Sequence, residues 1–147
     1  MEMGKIIVFK LGEEEYALDI NFVQSIERIQ PITRVPNAPS YVKGLINLRG
    51  NIIPIIDLRK KLNIGESVFT DHTRIIITHY EDIELGIIVD QTSDVMDVSL
   101  DKLEMELSGR MEFDAFGGIA NISGRLIILL KIEELVKTEV HSSRFNF

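Results

Sequence analysis

The sequence contains no cysteine and no tryptophan among its 147 residues. Without cysteine, disulfide bonds and thiolate metal sites are excluded. Long apolar runs are also missing, since the longest are the short stretches 52–56 and 126–130. A helix that crosses a bilayer needs roughly 20 apolar residues, and the N-terminus lacks the extended apolar centre of a secretory signal. The sequence therefore predicts a cytoplasmic protein that does not insert into a membrane.

Positive charge is scarce. Sixteen Lys and Arg face 23 Asp and Glu, which gives a net charge of −7. An acidic chain repels phosphate backbones unless it concentrates its basic residues on one face, and the only close basic cluster is Arg59, Lys60 and Lys61. Small barrels can bind single strands on aromatic platforms, so a nucleic-acid binder stays as an alternative. The charge balance and the few aromatic residues disfavour it.

Sequence motifs of catalysis are missing as well. The chain has no GxSxG, GxxxxGK[ST], GxGxxG or HExxH. His72, His79 and His141 are isolated from one another, and the clustered carboxylates at 13–15 and 81–84 fall at predicted hairpin turns. No stretch has the alternating oxygens, central glycine and closing glutamate of an EF-hand. The sequence predicts a protein that is not an enzyme, binds no metal or cofactor, and acts by binding partners.

What the chain does contain is a repeat. Residues 44–62 align without a gap over residues 118–136, and residues 5–29 align over residues 74–98. The identities in the first pair of blocks are Gly44 with Gly118, Asn47 with Asn121, Gly50 with Gly124 and Ile53 with Ile127. Two blocks in the same order, with apolar positions in register, predict a tandem duplication.

Each copy has the same order of elements: a hairpin, a third strand, a second hairpin and a short helix. Gly50 and Gly124 supply the positive φ of the second turn, and Asp57 is the predicted N-cap of the first helix. About ten short strands predict a mostly β protein built from two small five-stranded OB/SH3-like barrels, with short helices. Strands apolar on both faces would fill a barrel on one side and the seam between barrels on the other. Pro54, which lacks a ladder donor, predicts an edge or bulged strand.

Three segments carry a family resemblance: residues 9–26, residues 32–62 with "GLINLRGNIIPIIDL", and residues 118–135. They resemble the CheW family of bacterial chemotaxis coupling proteins, from about Lys5 to Val136, and Pro36 to Leu58 is the most specific part. The resemblance implies a stand-alone, non-catalytic adaptor that binds methyl-accepting chemoreceptors and the regulatory domain of the histidine kinase CheA. Such an adaptor is cytoplasmic and recruited to membrane receptor arrays. An adaptor of another chemosensory-type pathway remains the alternative.

The resemblance also implies how the chain is divided. Residues 1–147 would form a single CheW-like domain whose duplicated units exchange strands. One barrel is expected from residues 22–90 and the other from residues 5–20 together with 91–138. Residues 139–147 are expected to be a flexible tail.

The site residues implied by the resemblance fall in two groups. Receptor binding is expected from Arg49, which matches the Arg of the family's "NLRG", and from Val23, Gln24, Ile26 and Asn47. By their residue type, Val23 and Ile26 could equally belong to the core, and Arg49 could be an ordinary exposed turn residue. The duplicate hairpin has Ser123 in place of Arg49, so the turn does not require arginine.

Kinase binding is expected from exposed apolar residues at a barrel end, including Ile75, together with Gly44. Gly44 could equally serve backbone geometry. Ser25 departs from the family, because many members carry Glu at this position.

Overall fold

A computed structural model describes residues 3–99 and 116–141 of the chain. Its elements are strands β1 Met3–Leu11, β2 Glu14–Asp19, β3 Val23–Arg28, β4 Val42–Leu48, β5 Asn51–Asp57, β6 Arg74–Tyr80, β7 Ile83–Val89, β8 Gln91–Ser99, β9 Phe116–Ile122 and β10 Arg125–Leu130, and helices α1 Leu58–Lys61 and α2 Ile132–His141. A single 3-10 turn, Ile20–Phe22, precedes β3. The predicted mostly β class with short helices is confirmed. The predicted tail begins inside α2, and residues 142–147 lie outside the described residues.

The strands form two five-stranded sheets. The first has the order β8-β1-β2-β10-β9 and the second has the order β3-β6-β7-β5-β4. Each sheet therefore joins the first hairpin of one copy to three strands of the other copy. Replacing every strand by its counterpart in the other copy turns one order into the other. The duplication and the exchange of strands are both visible in this connectivity.

The two copies share irregularities as well as strands. The register of β4 against β5 shifts next to Gly44, and the register of β9 against β10 shifts next to Gly118. Both glycines have positive φ, 147° and 130°, which a residue with a side chain rarely adopts. The glycines that match in the sequence repeat therefore mark the same bulge in both sheets.

Among residues 3–99 and 116–141, the buried apolar side chains form three clusters. The largest lies at the seam and takes residues from both sheets and from α2, including Phe9, Leu18, Ile76, Ile87 and Leu135. The other two lie within one sheet each. Successive strand residues point to opposite faces, so in β6 Ile76 belongs to the seam while its neighbours on either side belong to the interior of the second sheet. This is the burial on both faces that the apolar strands predicted.

Asp57 caps α1 as predicted. Its side chain accepts hydrogen bonds from the Arg59 N–H at 3.1 Å and the Lys60 N–H at 3.4 Å. The same buried carboxylate also accepts from the Ser67 N–H at 3.0 Å and the Ser67 hydroxyl at 2.6 Å. One carboxylate therefore starts the helix and anchors the loop that follows it.

The prediction that Pro54 marks an edge or bulged strand is correct only locally, because β5 is an inner strand whose pairing with β7 does not reach Pro54. Pro54 lies in β5, between β7 and β4, and the nearby register shift falls elsewhere. The residue opposite it, Leu45, exchanges both of its backbone hydrogen bonds with Thr33, so the ladder to β4 needs no donor from Pro54. On the other side, pairing with β7 begins only at Ile55. The missing N–H is tolerated because neither neighbour requires it.

Asp90 connects the two sheets, since it lies between β7 of the second sheet and β8 of the first. Its carboxylate accepts from the Arg59 Nε at 2.9 Å and from the Arg59 Nη2. It also accepts from the Gly12 N–H, in the β1–β2 turn, at 2.7 Å. Burial alone would raise the pKa of Asp90, but the hydrogen bonds from Arg59 and Gly12 outweigh it, and the pKa lies below its ordinary value.

We expect Asp90→Asn to lower the free energy of unfolding at pH 7 by about 1–3 kcal/mol, the usual effect of losing a charged hydrogen-bond partner. A carboxyl whose pKa is depressed by folding stabilises the protein above its unfolded pKa of about 3.9, and this stabilisation is lost as the pH falls through the folded pKa. The difference between variant and parent should therefore shrink in acid. Urea unfolding at pH 7 and at about pH 3 measures it.

The matched control is Asp97→Asn, because Asp97 pairs with Lys5 in an exposed ion pair. Exposed pairs contribute about 0–1 kcal/mol, so this variant should change stability little at either pH. An Asp90→Asn effect equal at both pH values would show that the carboxylate charge does not carry the link between the sheets.

Candidate functional site

The β4–β5 hairpin turns through Arg49 and Gly50, whose φ angles are 51° and 90°. Both central residues of this two-residue hairpin have positive φ, as in a type I′ turn. The Asn47 Oδ1 accepts from the Gly50 N–H at 3.1 Å and fixes the turn. In the other copy, Ser123 and Gly124 have nearly the same angles, 53° and 85°. A serine thus adopts the conformation of Arg49, and nothing in the backbone calls for arginine.

The Arg49 side chain extends into solvent. It is 69% exposed, and its Nη2 lies 3.3 Å from the Oε2 of Glu27, which is 18% exposed on β3. A guanidinium has five N–H donors, and Glu27 is its one hydrogen-bond partner among the described residues. At this exposure a single long contact contributes about 0–1 kcal/mol. The side chain is therefore lightly held and open to another partner.

The contact between Arg49 and Glu27 joins the two edges of the second sheet. β3 and β4 stand at opposite ends of its strand order, yet Glu27 of β3 reaches the tip of the β4–β5 hairpin. Thr33, just beyond β3, also bridges to Leu45 of β4. The sheet therefore curls on itself, and its exposed edge strand β3 comes beside the turn.

The residues of β3 alternate between two environments. Ile26 lies opposite Ile76 and is 41% exposed, and Gln24 is exposed as well. Val23 is partly buried against the seam cluster. Of the alternatives left open by the sequence, Ile26 is therefore an exposed apolar residue, whereas Val23 contributes to the core.

The five predicted receptor residues divide in three groups, one of which is Val23 alone, partly buried against the seam cluster. Arg49, Gln24 and Ile26 present exposed side chains around the curled edge. Asn47 is exposed, but its amide oxygen is used by the turn. The hydroxyl of Ser25 is buried and has no hydrogen-bond partner among the described residues, so position 25 offers no group to a partner here.

The two residues predicted to bind the kinase are internal. Ile75 is fully buried in the interior cluster of the second sheet, so its predicted exposure is wrong. The alternation of β6 turns it inward. Close packing requires glycine at position 44, because a Cβ there would lie 2.1 Å from the backbone oxygen of Thr33. Of the two alternatives for Gly44, kinase binding and backbone geometry, the structure supports backbone geometry.

Sequence reasoning missed Glu27 and the exposed pair Val68 and Phe69. Glu27 meets Arg49 across 22 positions of sequence, and no motif spacing signals a contact that depends on the curl of a sheet. Val68 and Phe69 lie in the loop between α1 and β6, where no periodicity exists to separate inward from outward side chains.

The exposed groups at these surfaces are of the kinds that bind a partner. In residues 3–99 and 116–141, no three His, Asp or Glu are placed to hold a metal ion. No helix in that part of the chain is long and apolar enough to span a bilayer. An exposed guanidinium beside an exposed apolar edge strand offers hydrogen bonds and apolar area to a partner. The fold and this site define a class: a duplicated, mostly β module whose exposed surfaces can bind a partner.

Comparison with known proteins specifies the family. The family model of the CheW-like domain matches residues 5–140, and the chain belongs to the CheW family of chemotaxis scaffold proteins. It is 50% identical over 105 residues to the chemotaxis protein CheW of Bacillus subtilis, covering 71% of this chain and 67% of that one. It is 34% identical over 137 residues to the chemotaxis protein CheW of Klebsiella aerogenes, covering 92% and 82%.

A solved structure shares the architecture. The crystal structure of the scaffolding protein TtCheW from Thermoanaerobacter tengcongensis superposes with a TM-score of 0.82 at 35% identity, covering 90% of this chain and 86% of that chain. Proteins of this family are scaffolding adaptors and not enzymes, and their partners are components of chemotaxis signalling. The family assigned from the sequence motifs is thereby confirmed.

Proposed function

We propose that this chain couples methyl-accepting chemoreceptors to the histidine kinase CheA, and that Arg49 contacts the receptor. The observation that carries the proposal is the pair of equivalent turns. The backbone around Arg49 is reproduced around Ser123 within a few degrees, so folding explains the turn but not the arginine. An exposed arginine whose one ion pair contributes only about 0–1 kcal/mol to folding is a candidate for recognition.

The surroundings of Arg49 suit a helical receptor tip. Ile26 supplies apolar area on the neighbouring edge strand and Gln24 supplies an amide. Interfaces commonly combine an arginine with apolar anchors. The planar guanidinium can bind a carboxylate or the backbone carbonyls of a coiled coil through two N–H groups. The ion pair with Glu27 keeps the Arg49 side chain near the apolar edge strand. Because this pair is weak, breaking it to bind a partner costs little free energy.

The regulatory domain of CheA is the second proposed partner, bound at a surface apart from Arg49. Ile75 and Gly44 are not part of this surface, because both are internal to the second sheet. A protein that holds receptor and kinase at separate surfaces can join them in one array without chemistry of its own. Recruitment to receptor arrays at the membrane follows from receptor binding.

Reconstitution of signalling tests this function. CheA is mixed with receptors in vesicles, with and without the purified chain, and phosphate transfer to a response regulator is measured while the receptor ligand is varied. We expect receptor control of the kinase only when the chain is present, and no ATP hydrolysis by the chain alone. The proposal would be contradicted if the receptor ligand changed CheA activity equally without the chain, or if the chain itself hydrolysed ATP.

A further inference from the structure

The loop between α1 and β6 displays two large apolar side chains. Val68 is 76% exposed and Phe69 is 45% exposed. Val68 is the most exposed large apolar residue in the part of the chain that the structure describes. Single exposed apolar residues are common, but two adjacent ones on one loop form a patch that can anchor a partner.

The loop is fixed on both sides of this pair. Ser67 is bound through its N–H and its hydroxyl to the buried carboxylate of Asp57. On the other side, the Thr70 N–H donates to the Thr73 hydroxyl at 2.8 Å, and Thr73 is buried. Val68 and Phe69 are therefore presented by an ordered loop, which reduces the entropy that binding must overcome.

Positive charge borders the pair. The Lys43 Nζ lies 5.6 Å from the centre of the Phe69 ring. Lys43 and Lys60 each approach the same Glu66 carboxylate at 3.8 Å, and that carboxylate is 60% exposed. These two ammonium groups and one carboxylate carry a net charge of +1, in a chain whose net charge is −7.

We propose that Val68, Phe69, Lys43 and Lys60 form a docking surface for an acidic protein segment that carries apolar side chains. The two apolar residues would anchor it, and the two lysines would select its charge. This surface, named here the Phe69 surface, goes beyond the proposed function, since none of its four residues is among those named above for receptor or kinase binding. A bilayer is a poorer fit, because its wide anionic face is exposed to the whole chain, whose net charge is −7, whereas a protein segment contacts only the two lysines and their neighbours.

Binding of two labelled helical peptides to the purified 147-residue chain tests the surface. Both carry leucine at the same positions along one face, and their remaining positions are glutamate in one peptide and lysine in the other. Fluorescence anisotropy measures their binding at low and high salt. We expect the glutamate peptide to bind at least tenfold more tightly than the lysine peptide and to weaken as salt rises, because exposed charges are screened. Equal affinity for the two peptides, or binding of neither, overturns the proposal.

Substitutions test whether the peptide binds at the Phe69 surface. The double variant Val68→Ser/Phe69→Ser and the double variant Lys43→Glu/Lys60→Glu should each weaken the glutamate peptide at least tenfold. Leu126→Ser is the control, because Leu126 is 62% exposed on the other sheet and its loss should leave the affinity unchanged. Unfolding midpoints of all variants show that they fold.

A lipid bilayer or a second copy of the chain at the Phe69 surface would each give a different experimental result. Binding of the protein to phosphatidylserine vesicles, lost in Val68→Ser/Phe69→Ser while peptide binding persists, would make the surface a lipid contact and overturn the proposal. Self-association in sedimentation equilibrium, lost in the same variant, would make it a contact between copies of the chain and overturn the proposal as well.

Discussion

Gly44→Ala is expected to lower the free energy of unfolding by about 3 kcal/mol or more, an effect well above that of an average substitution. Two costs add at this position. The φ of 147° lies outside the range that side-chain-bearing residues favour, which costs about 1–3 kcal/mol. The new methyl group would also lie 2.1 Å from the Thr33 oxygen and 2.9 Å from the Ile32 side chain. The bridge from Thr33 to Leu45 would then have to move.

Gly50→Ala separates the two costs. Gly50 also has positive φ, 90°, but no atom lies within 4 Å of the position its Cβ would take. Only the backbone cost of about 1–2 kcal/mol applies there. Urea unfolding midpoints of the two variants measure the difference. Equal stability of both would mean that close packing does not fix Gly44, and a direct part for it in kinase binding would become the better explanation.

Arg49→Ser is expected to weaken receptor binding about 10- to 150-fold while leaving the free energy of unfolding within about 0.5 kcal/mol. The first figure follows from the loss of a charge-assisted hydrogen bond of about 1.5–3 kcal/mol, at about 1.4 kcal/mol per tenfold change in affinity. The second follows because exposed substitutions away from the core change stability little. Serine is chosen because Ser123 already adopts this conformation in the same molecule.

Isothermal titration with a soluble receptor-tip fragment measures the Arg49→Ser effect, and thermal unfolding verifies the fold. Ser123→Ala is the matched control at the equivalent turn, and it should bind the fragment as the parent does. The affinity of Arg49→Lys should lie between those of the parent and Arg49→Ser, because lysine keeps the charge but lacks the planar guanidinium. Normal receptor binding by Arg49→Ser, or a markedly lower unfolding midpoint, would show that Arg49 is idle or structural.

The sequence predicted the features that depend on a few adjacent residues or on the internal repeat. The glycines of the repeat predicted equivalent hairpins, and Asp57 followed by an apolar residue predicted a capped helix, because turns and caps depend on a few adjacent residues. Burial on both faces could be predicted because β6 is apolar at successive positions. The exchange of strands needed the family resemblance, since no local pattern states which copy a hairpin joins.

The features that the sequence could not predict depend on contacts distant in sequence. Ile75 and Ile76 are chemically identical neighbours, and only the register of β6 decides that Ile75 faces the interior of its sheet. Pro54 is tolerated in an inner strand because Thr33 takes the hydrogen bonds of the residue opposite it. Glu27 meets Arg49 only because the sheet curls. Each outcome is set by pairing across the sheet and not by residue type.

The central claim is that one molecule of this chain holds receptor and kinase together. Sedimentation velocity of a receptor-tip fragment and the CheA regulatory domain, with and without the chain, tests it most directly. We expect a three-component complex that forms only with the chain, and with Arg49→Ser a complex of chain and kinase domain alone. Displacement of the kinase domain by the receptor fragment would contradict the account, because it would show that both partners compete for one surface.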